Sequence, residues 1–547
     1  MLAQEFLRKY IPLKAPKKME MPTHLAFEVA GRTEGTKGAA SFAFVFPMAS
    51  GHINPSLAIA RSLVGLGHEV HYLCREQMRE AIEDTGASFH SDIEAEPELY
   101  EGRDPAMYGA LGSLQEEHGL KGSFTKARLL LRELSIELML PGLLRWLRKI
   151  RAEAVLFCPL INAEAPLAAQ ILGIPSAGLL TTAGPGSVKL IWSNVLKSVS
   201  STAEEILQER RSFPALLECL DRLRGYGLRM PLEDTLKPVG LMPSALASSL
   251  TLVTTAEFLA DPVPPDLEKA YEGHEVLFLG PLLDKPGAKR AAGHKFDHKG
   301  DESNSEEEVL RLARSAKAEG RQAILVSLGT VITGDHADYG WKAHATIDGE
   351  KRGLSGKELC QSAWQAAFDV FSDALILLAL GPQSDALENL EVPNNVCCFP
   401  TLPQVDLLRL GVDVFLTHGG QNSFMEALST GVPMVVCPGF GDQPVNAAKA
   451  ERLQIGRKVN RPMGRLEDVE AEKSAYRRAT AAALREVTRH GSFKENAMKY
   501  AAALEACGGV GRATKVLLSL ATLVQVKMRS PAQQTFRCLG WQAHEGR

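Results

Sequence analysis

No apolar run in this sequence approaches the roughly 20 residues of a membrane-spanning helix. The longest candidates, ALILLAL at 374–380 and KVLLSLATLVQV at 515–526, suit a buried strand and an amphipathic helix. Charge of one sign is lacking too: 61 basic against 65 acidic residues leave a net charge of -4. No whole-chain field therefore favours nucleic acid or an anionic membrane as a partner. The nine cysteines are odd in number, scattered, and without a C-x-x-C spacing. That excludes a disulfide framework and points to a reducing compartment, with the cytoplasm expected. The first 40 residues lack the apolar core of a secretory signal. The cluster Arg8, Lys9, Lys14, Lys17 and Lys18 would suit a cleaved transit peptide, against which stand Glu5 and Glu20.

What is present is enough for more than one core. A chain of 547 residues with 45% hydrophobic content predicts two large domains and a linker. From Ser41, SFAFVFPMASGHINPSLAIARSLVGLGHEVHYL reads as strand, Gly-containing loop, helix and strand. The alternation returns at AVLFCPL and EAPLAAQILGIPSAGLL, which makes the first half doubly wound α/β. Residues 100–150 and 184–250 are helix-rich inserts carrying Tyr108, Trp146, Trp192, Phe213, Met230 and Met242. They are either walls of a substrate pocket or surface helices packed on the sheet. The charged stretch DKPGAKRAAGHKFDHKGDESNSEEE predicts a mobile linker. A second α/β domain opens at QAILVSLGT, and two such halves imply a cleft between them. The expected boundaries are an extension at 1–40, domains at 41–283 and 321–522 flanking a linker at 284–320, and a tail at 523–547. The hydrophilic stretch 334–358 is either an excursion at the cleft mouth or a surface loop.

The chemistry concentrates in THGGQNSFMEALSTGVPMVVCPGFGDQPVN, residues 417–446. A strand runs into a turn where Gly419 and Gly420 let the backbone approach a ligand, and a helix follows to Gly431. Free N–H groups at a helix start, together with its dipole, form an anion site, for which phosphate is the natural guest. Asn422 and Ser423 add side-chain donors or serve as ordinary N-caps, and His418 is able to face the same anion. Asp442 and Gln443 follow the next strand, with Asn446 beyond, so both loops face one crevice. A carboxylate such as Glu426 suits a ribose diol, and the Asp-Gln pair suits sugar hydroxyls.

In this order the segment closely resembles the donor-binding signature of the UDP-dependent glycosyltransferases, whose plant members read W-x-P-Q, H-C-G-W-N-S, E, G-V-P, D-Q and N. The matches are TLPQ, HGGQNS, Glu426, GVP, Asp442-Gln443 and Asn446. FPMASGHINPSLAIARSL, ILGIPSAGLL, LGPLL, VSLGT and ENAMKYAAALEACGGVGRA extend the likeness. The resemblance implies a GT-B fold, two Rossmann-like doubly wound domains facing across a cleft. It also implies an inverting enzyme that moves a hexose, glucose first among them, from a UDP-sugar to a hydroxyl of a lipophilic small molecule.

By the same resemblance His52 is the general base, Gln404 meets the nucleobase and Glu426 the ribose. Thr330, His418, Gly420, Asn422 and Ser423 hold the diphosphate, and Asp442 with Gln443 the sugar. No D-x-D triplet occurs, so no metal or other cofactor is expected, the UDP-sugar being a co-substrate. Two positions depart from the family. Thr401 stands where plant members stack the uracil on an aromatic ring, which leaves uridine and thymidine donors both open. Pro159 stands where the aspartate partner of the histidine should fall, with Asn162 or Glu164 as the substitute after a loop shift. The alternative is a catalytically weak nucleotide-sugar-binding auxiliary protein on the same fold. Retention of His52 with Asp442-Gln443 opposes it, and a sugar-nucleotide epimerase fits the paired GHINP and HGGQNS motifs less well. A monomer or weak homo-oligomer is expected.

Overall fold

Strand β1 (Ser41–Val45) alternates large and small apolar residues, and both of its faces are covered. Phe42 and Phe44 point to one core, Ala43 and Val45 to the other. A strand buried on two sides is the mark of a parallel sheet sandwiched by helices. In the computed structural model β1 lies beside β2 (Glu69–Cys74) and β4 (Ala154–Phe157), in a seven-stranded sheet completed by β3 (Ser88–Ser91), β5 (Ser176–Leu180), β6 (Leu250–Val253) and β7 (Glu275–Phe278). The order is β3-β2-β1-β4-β5-β6-β7, with every pair parallel. The structure describes residues 38–529, apart from 107–108, 122, 200, 229–246, 292–301, 337 and 348–349. The expected N-terminal extension, Tyr108, Met230 and Met242, and most of the tail lie outside the described residues.

The second sheet holds β8 (Ala323–Ser327), β11 (Leu375–Ala379), β12 (Val396–Phe399), β13 (Val414–Thr417), β14 (Met434–Val436) and β15 (Gly456–Lys458), in the order β12-β11-β8-β13-β14-β15. It too is parallel throughout. Between β8 and β11 a small hairpin, β9 (Ala345–Ile347) and β10 (Glu350–Arg352), stands apart. Two parallel sheets with helices on both faces are the Rossmann-like pair expected.

Two segments differ from expectation, and for a third the structure selects one of two alternatives. Glu302–Ala318 is a helix rather than linker. Val309, Ala313 and Ala316 recur at helical spacing and pack on the second sheet beneath a charged outer face. The final helix, Gly509–Arg529, leaves the second domain and buries Ala513, Leu517 and Leu520 on the first sheet. Thr514 Oγ1 is bonded to Ser62 Oγ at 2.9 Å. The described residues of 334–358 reach the cleft mouth: Tyr339 and Ala345 line the cleft, and Trp341 is fully buried and donates to Asp385 Oδ1 at 2.9 Å. Thr125 of the first domain donates to Asp338 at 2.8 Å, so the excursion braces the two domains.

Among the described residues no helix is long and apolar enough to cross a membrane.

Candidate functional site

The carboxyl ends of β1 and β8 meet across the cleft. Helix Ser50–Gly65 begins directly after β1, with Ser50, Gly51 and His52 in its first turn. Ser50 Oγ lies 3.0 Å from Thr330 Oγ1, in the loop after β8. Asn422 Nδ2 donates to the Gly51 carbonyl at 3.0 Å. These two bonds seat the His52 turn of one domain on the loop after β8 and the helix start after β13 of the other. The cleft measures about 2780 Å³ and is lined from both domains. A single small-molecule site takes ~300–1,000 Å³, so a nucleotide and a second substrate fit together.

The turn before helix Gln421–Ser429 depends on glycine. Gly419 has φ +78° and a Cβ there would stand 2.4 Å from Val436. In the neighbouring loop after β8, Gly329 has φ +89° and a Cβ would meet the His418 ring at 2.6 Å. Both loops are therefore bare backbone beside His418, and Gly420 forms the helix N-cap without a side-chain cap. The first-turn N–H groups of Asn422 and Ser423 lack the side-chain acceptor that ordinarily caps such a turn.

Glu426 is buried, with one donor on each carboxylate oxygen. Gln404 Nε2 donates to its Oε2 at 2.6 Å, and Arg290 Nη2 to its Oε1 at 2.7 Å. Gln404 also donates to Ser423 Oγ at 3.1 Å. Asp442 Oδ2 accepts from the Gln421 backbone N–H at 2.8 Å and from Asn446 at 3.2 Å. Burial, against these bonds, pushes its carboxyl up to about 6. Gln443 Oε1 accepts from the Gly439 and Phe440 N–H groups, which fixes the loop after β14. The Phe440 ring stacks on Tyr339 at 4.4 Å. Gln421 is 4% exposed, and neither the N nor the O of its carboxamide has a hydrogen-bond partner among the described residues. Thr401 is exposed at the cleft wall beside Gln404.

His52 is positioned by a group not foreseen. Its Nδ1 lies 3.1 Å from Cys158 Sγ, at the end of β4. Burial and then the Arg128 guanidinium lower the imidazole to about 4, and burial pushes the Cys158 thiol up to about 12. The ring is thus neutral at pH 7 and held by a thiol. Glu164, expected as its partner, does not reach it. Glu164 lies in the first turn of helix Glu164–Leu172, where Asn162 Nδ2 donates to Oε1 at 2.8 Å. Burial raises its carboxyl to about 7, and it faces Glu96 and Asp92 rather than the histidine. Cys158, the residue before Pro159, is the group that stands beside the ring.

Sequence reasoning also missed Arg290, because its segment had the composition of a linker, and Arg128, which is one charged residue among several on the insert helix Phe124–Lys149. Among the described residues no group of three or more His, Cys, Asp or Glu side chains is placed to hold a metal ion.

Residues 386–504 match the family of UDP-glucoronosyl and UDP-glucosyl transferases. The NDP-glycosyltransferase YjiC of Bacillus licheniformis is 25% identical over 417 residues, 75% of this chain and 82% of that protein. UDP-glucuronosyltransferase 3A2 of Homo sapiens is 52% identical over 63 residues, 11% of this chain and 12% of its own. The crystal structure of the glycotransferase of kitacinnamycin superposes with a TM-score of 0.56 at 22% identity, covering 88% of this chain and 99% of that one. That likeness carries the GT-B architecture.

Proposed function

Because the chain belongs to the UDP-dependent glycosyltransferase family, we propose that it is an inverting enzyme that transfers a hexose, glucose first, from a UDP-sugar to a hydroxyl of a lipophilic small molecule. The observation that carries this reading is the pair of bonds Asn422–Gly51 and Ser50–Thr330, each 3.0 Å, which join a histidine turn to a helix start suited to phosphate. A base and an anion site on opposite sides of one cleft are what displacement at an anomeric carbon needs.

In this mechanism the Nδ1–H of His52 donates a hydrogen bond to Cys158 Sγ, leaving Nε2 as the base. Nε2 takes the acceptor hydroxyl proton as that oxygen bonds to the anomeric carbon and the bond to the diphosphate oxygen breaks. The departing charge falls on the N–H groups of Asn422 and Ser423, with Thr330 and His418 adding donors. Glu426 and Gln404 hold the ribose and base, while Asp442 and Gln443 meet the sugar. No step calls on a metal. Leu99, Leu111, Ile136, Met139 and Trp192 line the first-domain side of the cleft and suit an apolar acceptor.

The test is nucleotide release from UDP-glucose in EDTA against a panel of phenols, sterols and polyketides, with mass spectrometry of the products. Acceptor-dependent UDP release with a hexose-shifted product is expected. Strong inhibition by the chelator would contradict the metal-independent account. The thiol in place of a carboxylate beside His52 favours a second reading, a catalytically weak nucleotide-sugar-binding protein. Donor binding without turnover across the panel would promote it.

A further inference from the structure

The segment Asp284–Ala291 crosses from the first domain to the second and is bonded to both. Arg61 Nε donates to Asp284 at 2.9 Å, and the Lys289 N–H donates to Asp84 at 3.1 Å. Asn54, two residues beyond His52, grips Ala291 twice, accepting from its N–H at 2.8 Å and donating to its carbonyl at 3.2 Å. On the other side the Gly287 N–H donates to Asp406 at 3.0 Å. These anchors leave little freedom in where the backbone carries Arg290. Its guanidinium lies in a small pocket walled by Asn54, Asn422 and Glu426, and its Nη2 is 2.7 Å from Glu426.

That position sits between two proposed donor subsites, the ribose carboxylate and the phosphate end of helix Gln421–Ser429. The Arg290 side chain is 33% exposed while that of Glu426 is 6% exposed. The arginine is therefore the partner with room to turn. A guanidinium is a planar fork that matches carboxylate and phosphate equally well, so it can exchange one anion for the other without being left unpaired. Because the Glu426 side chain is only 6% exposed, a ribose diol gains room at its Oε1 when Arg290 turns away, while Gln404 holds the other oxygen.

We propose that Arg290 is a donor-binding residue that releases Glu426 to the ribose and passes to the diphosphate, so that the site favours nucleoside diphosphates over nucleosides. The inference rests on the reading of the cleft as a UDP-sugar site. A nucleoside must break the Arg290–Glu426 pair and offers the guanidinium nothing in return. A diphosphate replaces the lost anion.

The experiment is titration calorimetry of the full chain with UDP and with uridine, for the wild type, Arg290→Ala and Arg290→Lys, with Tm measured for each. Wild type is expected to bind UDP far more tightly than uridine. Arg290→Ala should weaken UDP by about tenfold or more, the loss of a charge-assisted contact. The same change should tighten uridine by about threefold or more, because Glu426 is freed. Arg290→Lys should keep part of the UDP affinity, and it remains informative if the alanine variant folds poorly. Equal tightening of both ligands would make Arg290 only an obstruction, and no change in either would make it a surface ion pair; each result overturns the proposal. Failure of wild type to bind UDP at all would instead overturn the underlying reading of the site, and this proposal with it.

Discussion

The Nδ1 of His52 lies 3.1 Å from the Sγ of Cys158, so a thiol orients the imidazole at the end of the first strand. A thiol holds the ring in place, but being able to donate or accept it does not fix the tautomer as a carboxylate would, nor does it stabilise the imidazolium. With burial and Arg128 acting in the same direction, the ring is lowered to about 4. The deprotonated base is then available well below neutrality. We expect kcat/KM to stay flat from pH 8 to about pH 5, and an acid limb near pH 6.5 would contradict the assignment. Cys158→Asp should move that limb upward by about one pH unit or more, as a nearby carboxylate favours the charged ring.

Removing the base separates chemistry from binding. His52→Ala should lower kcat/KM about 100-fold or more, the typical loss for a general base. Calorimetric affinity for UDP should stay within twofold of wild type, because His52 lies on the first-domain side of the cleft, opposite the proposed donor site. Near-normal turnover would show that another group takes the proton.

Glu426 offers a test of the donor side alone. Glu426→Ala removes the acceptor proposed for the ribose hydroxyls and leaves Gln404 and Arg290 without their shared partner. Donor KM should rise about tenfold or more, a loss in keeping with a hydrogen bond to a charged group. An unchanged donor affinity, by calorimetry with UDP, would remove Glu426 from the nucleotide site.

Glu164 gives a stability prediction with a definite sign. Its carboxyl is raised by burial from 4.5 to about 7. A raised folded-state value means that the favourable, protonated form holds below about pH 4.5 and that stability is lost as pH rises through 7. Glu164→Gln keeps the Oε1 that accepts from Asn162 and cannot ionise. Its Tm should exceed wild type by several degrees at pH 8 and by nothing at pH 5. The same gain at both values would mean that ionisation of Glu164 does not weigh on the fold.

What the chain's order of residues determined by itself was local: the parallel strands, the turns that demand glycine, and the ordered HGGQNS, GVP and DQ elements of one β-turn-α-β stretch. These rest on periodicity and on contacts a few residues apart, which a linear reading captures. Val309, Ala313 and Ala316 also stood at helical spacing, but the surrounding acidic residues made the segment look like linker. Tertiary structure alone decided which distant groups meet. Cys158 reaches His52 across 106 residues and Arg290 reaches Glu426 across 136. The last helix returns to the first sheet, although its apolar stripe would have suited either. Side-chain type records that a group can pair or be buried. Only the closing of two sheets around a common cleft selects its partner, because that choice depends on distances the order of residues does not contain.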